Sequence, residues 1–174
     1  MKTKLLASLL PLLFLAPAAR PQQPAPAKPV AYTVIVTLRP NGGAVAGSIN
    51  KVFAFSLRPG GMGNLDSGDG VPVETAAGKY TYETTGASAR CTLPEHSGAG
   101  PGQLEVSLML SVKNVVAASS GQSSLHPVFR NASVAIDTIV PLGSNRLVAS
   151  FPNETGKGTY GVFIRATPEP VAAQ

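Results

Sequence analysis

The chain has no tryptophan, one cysteine and few charges: Asp, Glu, Lys and Arg make up only 13% of its 174 residues. That is about half the share in ordinary soluble domains, so a charge-rich helical protein is excluded. A single cysteine, Cys91, rules out an intramolecular disulfide, and the fold must rest on its core. No run of basic residues occurs. Arg39, Lys51, Arg58, Lys79, Arg90, Lys113, Arg130, Arg146, Lys157 and Arg165 are spread singly, whereas a nucleic-acid surface gathers Lys and Arg on one face. No nucleic-acid partner is expected. Beyond the N-terminus no apolar stretch approaches 18 residues, so the mature chain has no helical membrane span. The two histidines, His96 and His126, have no partners at metal-ligand spacing.

What is present begins with an export signal. Met1-Lys2-Thr3-Lys4 supplies a positive start, Leu5 to Leu15 an apolar run, and Ala16-Pro17-Ala18 the small residues of a cleavage site. A cleavable signal peptide over 1–18 and a periplasmic or secreted location follow as expectations. Losing Lys2 and Lys4 takes the net charge from +5 (14 basic, 9 acidic) to +3 (12 basic, 9 acidic). Residues 19–30 are rich in proline, a composition that disfavours helix and favours an extended linker. Residues 168–174 have the same character. The folded module is therefore expected over 31–167.

Within it, a two-residue rhythm recurs. Tyr32, Val34, Val36 and Leu38 share one face, and Phe53, Phe55 and Leu57 share another. Lys79 to Thr85 and Ala87 to Leu93 read as two short strands, or one interrupted at Gly86. Leu104, Val106, Leu108, Leu110 and Val112 fall together only if the segment is extended, since a helix would scatter them. Val134 to Val140, then Leu147, Ala149 and Phe151, then Tyr160 to Ala166 complete the set, with a hairpin loop over 152–158. Residues 59–70 and 117–127 are expected as loops, the first glycine-rich. Seven or eight strands with one apolar face each predict an all-β fold, an antiparallel sandwich or a curved barrel-like sheet.

Candidate chemistry is sparse. Cys91 is expected as a small buried hydrophobe, with Arg90 on the opposite strand face. Asn64, Asp66 and Asp69 have a calcium-like composition without the spacing of a calcium loop, and read as turn residues. Glu74 and Glu83 could pair across neighbouring strands, and equally read as residues of solvated strand faces. Glu95, His96 and His126 fall in loops. Asn131 and Asn153 head Asn-x-Ser/Thr triplets, which matter only in a eukaryotic secretory route, and the leader looks bacterial. No serine sits in a nucleophile elbow. No catalytic, cofactor-binding or metal-ligating residue is assigned, no cofactor is expected, and the chain is read as non-enzymatic.

Taken in order, Ser67-Gly68, Val71-Pro72-Val73, Tyr80-Thr81-Tyr82-Glu83 with Gly86, the strand Leu104 to Val112, Pro127, Arg130, Ile136 to Val140, Leu142-Gly143 and Leu147 to Ala149 resemble the C-terminal core of the secretins. Secretins are the ring-forming outer-membrane channels of bacterial secretion systems. A group of exported bacterial proteins with a Val-Pro … Leu-Gly pattern is similar too. The resemblance covers residues 65–167. It implies the strand order of the fold and an envelope-associated, self-associating role, and it transfers no functional residue. An obvious pair of lipid-facing strands and an amphipathic lip helix are missing, so no channel is expected from this chain alone. The sequence thus predicts an envelope β module acting through an unidentified protein partner or through self-association, with a secretin-like self-assembling outer-membrane component and a hydrolase or metal-dependent enzyme as the alternatives.

Overall fold

The computed structural model describes residues 31–41, 49–116, 127–153, 156 and 158–169. The leader, the proline-rich segment, His126 and most of the expected 117–127 loop lie outside the described residues. Eight strands follow one another: β1 (Tyr32–Asn41), β2 (Lys51–Leu57), β3 (Met62–Ala76), β4 (Lys79–Thr92), β5 (Gln103–Val116), β6 (Val128–Pro141), β7 (Asn145–Pro152) and β8 (Thr159–Pro168). They form two four-stranded sheets, A in the order β2-β1-β8-β7 and B in the order β3-β4-β5-β6. Every ladder is antiparallel. The all-β sandwich expected from the alternation is what the chain adopts.

The alternating residues meet between the sheets. Val34, Val36, Leu38, Phe53, Phe55 and Leu57 face inward from sheet A, with Tyr160, Val162, Ile164 and Ala166 of β8. Sheet B answers with Ala87, Ala89 and Cys91 of β4 and Leu104, Val106, Leu108, Leu110 and Val112 of β5. Each large side chain removed from water here contributes about 1.5–3 kcal/mol. Size is matched across the gap. At Gly63 of β3 a Cβ would run into the Phe55 ring, so that position is left empty for the aromatic ring to fill.

Three expectations are corrected and one left open is decided. Residues 59–70 are not a long loop: a tight turn over 58–61, with Gly61 N donating to Arg58 O, leads straight into β3 at Met62. Gly, Asn and Asp are poor strand formers on their own, but the β4 ladder supplies the hydrogen bonds that hold them extended. Of the two readings left open around Gly86, the chain takes the single strand, β4, which runs unbroken through that glycine. Gly86 has φ 119° and sits directly opposite Gly68. A Cβ on either would overlap backbone of the facing strand, including the Thr85 and Ser67 carbonyl oxygens. Strand β6 starts at Val128, well before Val134. Finally, Leu147 does not share a face with Ala149 and Phe151. A register shift between Leu147 and Ala149 inserts one residue, which turns Leu147 out to solvent while Phe151 stays buried.

Candidate functional site

Sheet B divides along its length. Strand β4 pairs with β5 only between Gly86 and Thr92, opposite Lys113 and Ser107. Beyond Gly86, residues Lys79 to Thr85 have β3 as their only strand neighbour among the described residues. The β3–β4 end is thus a two-stranded ribbon that leaves the sandwich, and it exposes Tyr80 (61%) and Tyr82 (72%). A type of turn that needs a left-handed residue closes it at Gly78, φ 75°, whose N–H donates to the Glu74 carboxylate at 3.0 Å. On the other side of the fork, β5 and β6 continue paired as far as Val116 and Val128.

One ion pair spans the fork. Lys113 Nζ lies 2.6 Å from Glu83 Oε2 and stands over the Phe129 ring at 5.0 Å, so it touches β4 and β6 from β5. Glu74 and Glu83 therefore do not form a pair. Glu74 faces Tyr80 in the register and caps the turn, while Glu83 faces Val71 and binds Lys113. A carboxylate couple for acid–base work is not assembled. Asn64, Asp66 and Asp69 lie in β3, in neither a turn nor a calcium loop; Asn64 Oδ1 accepts from Arg90 Nε at 2.8 Å. No group of three or more metal-ligating side chains occurs among the described residues.

Cys91 is fully buried, as expected of a small apolar core residue. Burial pushes its thiol up to about 12, so it carries no thiolate near neutral pH. Arg90 points to the opposite, exposed face. Glu95 and His96 are exposed in the segment joining β4 to β5. That segment closes one side of an open groove of about 760 Å³ at the base of the sandwich, over a floor that includes Tyr32, Leu93, Leu104 and Leu142. Asn131 is an exposed β6 residue accepting from Ser111 Oγ, and Asn153 is buried.

The strand edges differ between the sheets. Sheet A ends in β2, seven residues, and β7, eight residues with a register shift and a terminal proline. Sheet B ends in β3 and β6, of 15 and 14 residues. A terminal strand carries a row of N–H and C=O groups with no partner on its outer side, a template for another strand. The sequence signal for these long edges is the alternation of β5, a long central strand that pairs with β6 along its whole length.

No protein-family model matches the chain, and no curated protein matches it in sequence. Among solved structures, the chain is similar to the type II secretion system secretin GspD of E. coli K12. The match has 18% identity and a TM-score of 0.46, over 68% of this chain and 29% of that one. Type II secretin GspD of enteropathogenic E. coli matches at 13% identity and a TM-score of 0.47, over 79% and 65%. The InvG secretin domain β-barrel of the Salmonella SPI-1 injectisome matches at 13% identity and 0.43, over 83% and 64%. The chain spans under a third of the first of these. These matches are a weak structural resemblance to secretin domains.

Proposed function

We propose that the chain is an exported, non-catalytic β module of the bacterial cell envelope that works through protein contacts, and that its first partner is a second copy of itself. The observation that carries this reading is the pair of long edges on sheet B, β3 and β6, which have no outer strand partner among the described residues. Because β3, β4, β5 and β6 alternate in direction, β6 of one copy meets β3 of the next in the antiparallel sense that runs through the whole sheet. The two edges are matched in length, 14 and 15 residues. Head-to-tail addition of this kind closes into a ring or continues as a filament, according to the rotation between copies. The signal-peptide pattern of residues 1–18 supports export, and the proline-rich 19–30 supports a tether.

Sedimentation velocity on the mature full-length protein tests the reading. Discrete multimers that grow with concentration are expected, and the double variant Ser133→Lys, Ala135→Lys should return them to monomer. Both positions are exposed on β6, so the fold is retained, and lysine on an edge opposes strand addition. A single monomeric species at every concentration, together with no envelope protein captured by cross-linking, overturns the proposal.

A further inference from the structure

The basal groove opens beside the start of β1. Its floor is Tyr32, Leu93, Leu104 and Leu142, and Pro59 and Pro168 are among the residues that line it. At about 760 Å³ it has the size of a site for a ligand or short peptide. Tyr32 is the first residue of β1, so the proline-rich segment joins the fold at the groove's rim. Residues 24–30 read Pro-Ala-Pro-Ala-Lys-Pro-Val. In polyproline II geometry, three residues per turn, Pro26 and Pro29 fall on one ridge, and seven residues reach about 20 Å. Such a ridge has little conformational freedom to lose on docking against an apolar, aromatic-containing surface. Lys28 brings a positive charge to a groove whose lining includes the exposed carboxylate of Glu95.

The end of β8 reaches the same rim, since Pro168 lines the groove and pairs with Tyr32. Glu169 N donates to Ala31 O at 2.9 Å, and its carboxylate accepts from Thr33 and Ser56 hydroxyls at the β1–β2 ladder, where those two residues face each other. We infer that residues 24–30 of this chain dock in its own basal groove, with Pro26 and Pro29 on the apolar floor and Lys28 toward Glu95. A tethered segment acts at an effective concentration of about millimolar, so weak contacts suffice. Docking would set the direction in which the tether leaves the module, and a competing proline-rich partner would release it.

A nitroxide at position 27 reports on this directly. Ala27→Cys in the mature full-length chain gives one labelling site, because Cys91 is fully buried and protonated. Paramagnetic broadening is expected at the amides of His96, Gly100 and Gln103, with Gly78 at the ribbon tip unaffected. Adding Pro26→Gly, Pro29→Gly and Lys28→Glu should reduce that broadening severalfold while the spectrum of the core stays the same. Three results would overturn the inference: no broadening at the groove, broadening unaltered by the triple variant, or broadening seen only when labelled and isotope-labelled copies are mixed. The last would make the occupant a second copy's tail.

Discussion

The two sheets share one core and differ at their rims. Sheet A ends in short strands, one interrupted by a register shift and finished by Pro152. Sheet B ends in strands twice as long, and one of them continues past the sandwich as a ribbon. Both inner faces have the same apolar alternation, so packing alone does not account for the contrast. What differs is how much backbone each edge leaves unpaired. Sheet A leaves short edges and sheet B long ones, and the proposed self-association would use the long ones.

The sharpest break of that comparison is in the shared core, where both sheets should respond alike. Leu110→Ala on β5 and Ile164→Ala on β8, both fully buried, are each expected to cost about 2–5 kcal/mol in urea unfolding. A cost confined to one sheet would mean that the sheets unfold separately. Next is Gly86→Ala, which forces a side chain into a φ of 119° and against Ser67 backbone. A loss of about 1–3 kcal/mol is expected, with hydrogen exchange rising in the ribbon before the base of β4.

Alkaline pH isolates sheet B's inner face. Unfolded, the Cys91 thiol ionises near its ordinary value of 9.0; folded, burial holds its proton to about 12. The folded state therefore binds more protons in that window. Stability from this group is complete below pH 9 and falls as pH rises toward 12, by up to about 1.4 kcal/mol per unit. A Cys91→Ala variant should show a shallower decline than the parent over pH 9–11. The smallest effect belongs to the fork: Lys113→Gln removes an ion pair whose side chains are 36% and 45% exposed. Solvent screening limits its worth to about 0–1 kcal/mol, and the parent but not the variant should lose this increment in molar salt.

The alternation made the core legible. Wherever one face of a strand is buried, as in β1, β2, β5 and β8, the two-residue pattern named the inward residues directly. It failed where that condition fails. Strand β3 is an edge whose residues are mostly exposed or glycine, so its sequence has turn-like composition and only the β4 ladder makes it a strand. Leu147 was assigned by parity across an inserted residue, which no local signal announces. The Glu74–Glu83 pairing presumed a register that depends on a turn placed at Gly78. The basal groove was invisible because its floor comes from strands far apart in the chain. Cys91 was readable as core because its neighbours alternate.

Hydrogen exchange on the mature protein, dilute against concentrated, tests most directly that sheet B is the edge that is continued. Amides of β3 and β6 should gain protection on concentration, while those of β2 and β7 stay unchanged. Protection gained at β2 and β7 instead, or at no edge while multimers form, would contradict the account.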